Sequence, residues 1–334
     1  MPIASKSPLH VHAALMLVLA TLCWGVSFPV MKALGAVQLA LTPGAGSWFV
    51  AASVMTMRFG LAAALFGVFG FGALRAATRG EVRQGLHMGL YTGGGMILQI
   101  DGLQHTTASV SAFLTSFYAV LVPLWIAWRS RELPPRRVWA SGLLVLAGVA
   151  VLARLDWRGL RLGRGEIETL LSSVFFTGQI LTLARGEFAR NRTFPVTFVM
   201  FVVQSLLGVG LGVLTVPAGG AVCGALGSGA WWSLILVLTT VCTLAAFTLM
   251  NGWQPKISPT EAGLIYSSEP VFASAMALFL PAWLSAWGGF DYPNERVTGN
   301  LIIGGGLITL ANVLIHLNPS RRAARAGRTS SAAK

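Results

Sequence analysis

The chain is 334 residues long, 54% hydrophobic and only 10% charged, with a formal net charge of +13. Soluble domains carry about 25% charged residues, so most of this protein's surface cannot face water. Three cysteines are too few and too scattered for a disulfide framework or a metal set, and the positive charge is placed in a way that argues against nucleic acid.

Ten mostly apolar stretches run along the chain: 12–34, 47–74, 86–104, 107–129, 137–154, 164–184, 195–217, 229–250, 260–282 and 297–317. A hydrocarbon core ~30 Å thick needs about 20 helical residues at ~1.5 Å each, and a helix satisfies its own backbone where no water can. The alternating segments of a β-barrel are absent. The first stretch is too long for a cleaved signal and continues into WGVSFPVMK without a small-residue cleavage pattern, so it is expected to stay as the first helix. Its candidate lining residues are Trp24 and Ser27.

The second stretch carries Arg58 and the third carries Gln99 and Asp101. On the fourth, Ser111, Thr115 and Tyr118 fall at i, i+4 and i+7, one stripe of a helix; on the sixth, Glu168, Ser172 and Gln179 fall at i, i+4 and i+11, also one stripe. The ninth holds Tyr266 one turn before Glu269, which precedes Pro270. At ~1.5 Å per residue, Arg58 and Glu269 both lie about 13–17 Å deep, near the midplane. A charge there costs about 2.5–3.5 kcal/mol on insertion scales, so it survives where a cavity or partner receives it. Two roles fit Glu269: it binds a proton or a solute amine, or it braces a helix kinked at Pro270. Two fit Arg58: it holds a solute carboxylate by a two-pronged hydrogen bond, or it pairs with Glu269 as a structural bridge. The eleven candidates for a solute pocket are Trp24, Ser27, Arg58, Gln99, Ser111, Thr115, Tyr118, Ser172, Gln179, Tyr266 and Glu269.

With ten spans and an inner N-terminus, 17 of the 24 basic residues fall on the inner side, six on the outer side and Arg58 within a span. This positive-inside bias puts both termini in the cytoplasm and the protein in the cytoplasmic (inner) membrane. Arg154, Arg158, Arg161 and Arg164 dissent, forming a basic outer connection. The basic tail 318–334 is an orientation signal beside anionic lipid.

The chain echoes itself. Residues 107–123 resemble 257–273, with Leu114 matching Leu264, and Gly142 and Gly148 correspond to Gly299 and Gly305. If residues 12–154 and 164–317 are one unit used twice, its odd number of spans turns the second copy upside down. The expected fold class is therefore an all-α integral membrane protein, ten transmembrane helices as two inverted five-helix repeats.

The segments WGVSFPVMK (Trp24–Lys32), LQIDGLQHTTASVSAFLTSFYAVLVPL (Leu98–Leu124) and ISPTEAGLIYSSEPVFA (Ile257–Ala273) resemble the drug/metabolite transporter superfamily, in its ten-helix EamA-type branch. The resemblance covers nearly the whole chain and implies small-molecule transport, usually efflux of metabolites or amino acids, through a cavity between the halves. It names no substrate. Asp101 departs from it, standing where the family commonly has an apolar or small residue. The expected partners are a small-molecule solute, with protons as candidate coupling ions, and the lipid bilayer, in a monomer or weak homodimer without cofactor. A membrane-embedded enzyme is the rival class, but HExxH and GxSG motifs and a second intramembrane aspartate are missing. No GxxxxGK[ST] loop offers ATP as direct energy source, which leaves secondary transport, facilitated diffusion or lipid-carrier flipping on the same scaffold.

Overall fold

The computed structural model describes residues 8–131, 136–152, 162–217 and 224–316. The tail 318–334, Arg154, Arg158, Arg161 and Cys223 lie outside the described residues. Among those described, the regular structure is entirely helical. In chain order the helices are α1 (Pro8–Leu41), α2 (Ser47–Arg75), α3 (Arg79–His105), α4 (Ala108–Thr115), α5 (Tyr118–Arg129), α6 (Arg136–Leu152) and α7 (Arg164–Leu183). They continue with α8 (Thr193–Thr215), α9 (Gly229–Thr239), α10 (Ala246–Trp253), α11 (Pro259–Tyr266), α12 (Glu269–Ala277), α13 (Leu280–Gly288) and α14 (Gly299–His316). A π-turn, Thr240–Ala245, joins α9 to α10 without ending the span.

Each apolar stretch is helical, but they are not equal. Five are long and apolar enough to cross a bilayer, at Pro8–Leu41, Ser47–Arg75, Ala108–Arg129, Thr193–Thr215 and Gly229–Lys256. A sixth, Pro259–Gly288, qualifies only as a pair bent by 52°. The third and sixth stretches, α3 and α7, fall outside that set and carry Asp101, Gln99, Glu168 and Gln179 among their side chains. The fifth and tenth give shorter apolar helices, Trp139–Leu152 and Gly299–Ala311.

Local chemistry sets the helix starts. Thr78 caps α3 in a reciprocal box with Glu81, Thr107 caps α4, Ser228 caps α9 and Ser258 caps α11. The fourth and ninth stretches are each broken after eight helical residues, at Ser116–Phe117 and Ser267–Ser268. Every bound of α11 and the start of α12 lies 151 residues beyond its counterpart in α4 and α5. Structurally, Thr115 thus corresponds to Tyr266 and Tyr118 to Glu269, one residue away from the register that pairs Leu114 with Leu264. Hydroxyls cover carbonyls at both breaks: Ser116 donates to Phe113 O at 2.7 Å, Ser267 to Leu264 O at 2.6 Å and Ser268 to Ile265 O at 2.7 Å. Pro270 is therefore not a kink inside a continuous helix, as the sequence suggests. It sits in the first turn of α12, where a missing N–H leaves nothing unpaired.

Packing pairs α2 with α8, α3 with α7 and with α8, α1 with α10 and α12, and α6 with α14. The main core gathers α1, α2, α3, α8, α9 and α12, while Phe113, Leu114, Val145, Leu152 and Ile308 form a smaller one between α4, α6 and α14. Backbones touch at two glycine pairs. A Cβ on Gly148 would lie 2.8 Å from Gly304 O, and one on Gly304 would lie 2.8 Å from Gly148 O. Gly102 and Gly165 face each other likewise, at 2.9 and 2.7 Å. Gly305, next to Gly304, meets the Phe113 ring. Outward, Phe69 and Leu214 are more than 80% exposed, as lipid-facing side chains are.

At the end bearing the α3 N-terminus, buried Glu81 ties three segments together. It accepts from Thr78 N at 2.8 Å, from Arg192 N at 3.0 Å, and from the Arg192 guanidinium at 2.7 and 2.9 Å. Arg192 beside it holds the Glu81 carboxyl down to about 2 from an ordinary 4.5, with the two backbone amides acting the same way and burial opposing. A lowered folded value adds stability above the ordinary one and loses it as pH falls through the folded one. The melting midpoint of the detergent-solubilised protein is expected to drop as pH falls from 4.5 toward 2. Glu81→Gln should lower the midpoint at neutral pH and flatten that part of the acid profile, read by scanning fluorimetry.

Candidate functional site

A cavity lies among α1, α2, α3, the two broken helices, α7 and α10. Nine of the eleven residues expected from the sequence line it: Trp24, Ser27, Arg58, Gln99, Thr115, Tyr118, Gln179, Tyr266 and Glu269. Ser111 and Ser172 do not. Ser111 Oγ is 3.3 Å from the Thr169 hydroxyl, and Ser172 donates to Thr169 O at 2.7 Å, so both serve contacts within and between helices. The periodicity that selected them identifies a face, and only part of each face reaches the cavity.

Arg58 is 1% exposed. Its guanidinium donates to the Thr243 hydroxyl, to Cys242 O at 2.9 Å, to Ser27 Oγ at 3.3 Å and to Met31 sulfur at 3.4 Å. Thr243 and Cys242 belong to the π-turn, an irregularity often found where a helix serves a site. The expected bridge between Arg58 and Glu269 is not formed: every partner of Arg58 is neutral, because the π-turn and α1 supply acceptors nearer its fork. A cation is thus held in the protein's interior by neutral acceptors and by the Phe59 ring, 5.2 Å from it, with no carboxylate partner among the described residues.

Glu269, 7% exposed, has one hydrogen-bond donor, the Tyr118 hydroxyl at 3.4 Å. Aromatic rings surround that side of the cavity. Trp24 meets Tyr266 edge-on at 5.6 Å and Phe247 at 5.4 Å between centroids, and Tyr118 meets Tyr266 at 6.4 Å. The Trp24 indole N–H is buried without a partner. Tyr266 donates to Gln254 Oε1 at 2.8 Å, and Gln254 donates on to Ile180 O at 2.9 Å, fastening α11 to α7. Gln99 donates to Thr115 at 3.0 Å and Gln179 to Met250 sulfur at 3.2 Å.

The rest of the wall escaped the sequence reading: Phe28, Met31, Met96, Phe176, Ile180, Phe247 and Met250. In a chain 54% hydrophobic, nothing in the sequence separates an apolar side chain facing a cavity from one facing lipid or core. The site combines one buried cation, one buried carboxylate with a single distant donor, an unpaired indole N–H and aromatic faces. A lining of apolar and aromatic walls with a few placed polar groups is the general character of a small-molecule pocket.

Helices long enough to span a bilayer around such a cavity make this a membrane transporter in class. Residues 12–154 match the sequence model of the EamA-like transporter family. An uncharacterized transporter of Archaeoglobus fulgidus is 27% identical over 315 residues, covering 92% of this chain and 87% of the relative. A solved crystal structure at 20% identity covers 92% of this chain and 97% of its own, with a TM-score of 0.58, and shares the fold.

Tyr266→Phe removes the donor to Gln254 and leaves a buried amide oxygen unpaired. The expected loss is about 1–3 kcal/mol, seen as a lower unfolding midpoint of the solubilised protein. Ser172→Ala should leave solute binding unchanged, since that hydroxyl does not face the cavity.

Proposed function

We propose that the protein is a secondary transporter of the cytoplasmic membrane that exports small amino-acid-like solutes by alternating access, with both termini inside. The observation that carries this reading is the pairing, on one cavity wall set, of Arg58 without a carboxylate partner and Glu269 without a cationic one. A solute carrying both charges complements them. Its ammonium sits at Glu269 against the faces of Trp24, Tyr118 and Tyr266, which attract a cation. Its carboxylate takes the remaining Arg58 Nη2 N–H and the free Trp24 N–H. The methionines and phenylalanines of the wall receive its apolar part.

Two features support the inverted five-helix arrangement of residues 12–154 and 164–317. The same helix, two-residue break and helix occur twice at one register. The contacts of α2 with α8 and of α6 with α14 are the ones that an axis in the membrane plane would pair with themselves, and at Gly148–Gly304 each backbone blocks the other at the same distance. Rocking one half against the other then opens the cavity to each side in turn. The breaks in the fourth and ninth stretches lie at its wall and give each half a joint.

The test is binding and flux with a panel of amino acids, simple amines and simple carboxylates, using purified protein for titration calorimetry and proteoliposomes for transport. An amino acid should bind better than either single-charge analogue. Glu269→Gln should weaken its affinity roughly 10–100-fold, the worth of one charge-assisted hydrogen bond, without changing the unfolding midpoint by more than a few degrees. Equal binding of the amino acid by wild type and Glu269→Gln would remove Glu269 from the solute site and leave it a brace for the broken helix.

A further inference from the structure

At the end where α3 finishes and α7 begins, two acidic side chains share one arginine. Arg164 donates to Asp101 Oδ2 and, at 2.8 Å, to Glu168 Oε1. Asp101 is fully buried and Glu168 is 9% exposed, while the Arg164 side chain is 45% exposed and lies over the Trp48 ring. The guanidinium therefore lids the pair from the water side. Asp101 Oδ1 and Glu168 Oε2 are both buried without a hydrogen-bond partner.

The neighbouring charges do not complete the balance. On α3, His105 Nε2 stands 4.0 Å from Asp101 Oδ2 but is engaged with the Ser47 hydroxyl at 3.0 Å. On α1, Lys32 donates to Leu103 O and Thr106 O. On α7, Glu166 accepts from the Thr106 hydroxyl at 2.8 Å, and on the segment before α14, Glu295 accepts from Ala108 N at 2.7 Å. Two carboxylates thus face one direct cationic partner, each with one acceptor oxygen unserved. Buried like charges this close do not both stay ionised cheaply. With Arg164 counted, a single added proton brings the two carboxylates to neutrality.

We propose that Asp101 and Glu168 form a proton-binding site at this end of the molecule, one proton bridging Asp101 Oδ1 and Glu168 Oε2 while Arg164 balances the remaining charge. The site lies beside Gly102–Gly165, where α3 and α7 touch backbone to backbone, so the bound proton holds that closure together. When the proton leaves, two anions repel across the contact and the helices part. A line of hydroxyls leads from the site inward. Thr169, next to Glu168, is 3.3 Å from Ser111 Oγ; Thr115 donates to Ser111 O at 2.9 Å; and Gln99 donates to Thr115 at the cavity wall. Resting on the transport reading, this end is the outer gate and the proton is the ion that moves against the exported solute.

The site is tested by infrared titration of the full chain in nanodiscs, following the carbonyl stretch of protonated carboxyl groups. The wild type should show a titrating carboxyl that is lost in Asp101→Asn and in Glu168→Gln, each an uncharged isostere, and kept in Glu269→Gln and His105→Gln. If one variant does not fold, the other carries the measurement. A signal unchanged in the folded variants, or an imidazolium of His105 in place of the carboxyl proton, overturns the site. This readout needs no solute, so its failure strikes the proton site alone. A normal signal with no solute flux in proteoliposomes strikes the transport reading and leaves the proton site standing.

Discussion

The constraint on which this structure depends is that hydrocarbon offers no hydrogen bonds. Any break in a helix and any charge within the bundle must find its partner in the protein. The two interrupted helices meet that demand with serines placed one turn after the carbonyls they cover, and with a proline set where no N–H is needed. Arg58 meets it with a π-turn that supplies a carbonyl and a hydroxyl to its fork. These devices let the wall of a cavity be irregular without unravelling the bundle around it.

Close approach of backbones is the second theme, and it follows from the first. Between helices in lipid there is little hydrophobic gain from association, so contact area and weak polar contacts must suffice. Glycine pairs at Gly102–Gly165 and Gly148–Gly304 bring the helices as near as peptide groups allow. At one of these contacts the tight approach also concentrates Asp101, Glu168 and Arg164. Packing and electrostatics are thereby coupled at one end of the molecule.

Polarity is distributed along α3 and α7 in an informative way. Both helices carry too many polar groups to stand in lipid on all sides; they pack on each other, with α2 and α8 also against α3 and with α4 and α5 against α7. Their polar faces divide between the cavity, through Gln99 and Gln179, and the shared carboxylate pair near the α3 C-terminus. Asp101, the residue that departs from the family resemblance, is the one placed at that pair.

Composition and span length were enough to read a helical membrane bundle, because a bilayer admits few alternatives. The motifs around Trp24 and Leu98–Leu124 fall within residues 12–154, which match the family's sequence model, while Ile257–Ala273 lies outside the matched residues. Helical spacing picked Thr115, Tyr118 and Gln179, and depth within a span picked Arg58 and Glu269, all of which line the cavity, since a polar side chain deep in a span has few places to go. What tertiary packing alone decided was direction and partnership. Ser111 and Ser172 share the predicted stripes yet face Thr169, Arg58 bonds the π-turn rather than Glu269, and Arg164 reaches Asp101 across 63 positions of chain. Sequence period tells which face of a helix a side chain occupies, but the neighbour it meets depends on how helices cross, and that is set by contacts far apart along the chain.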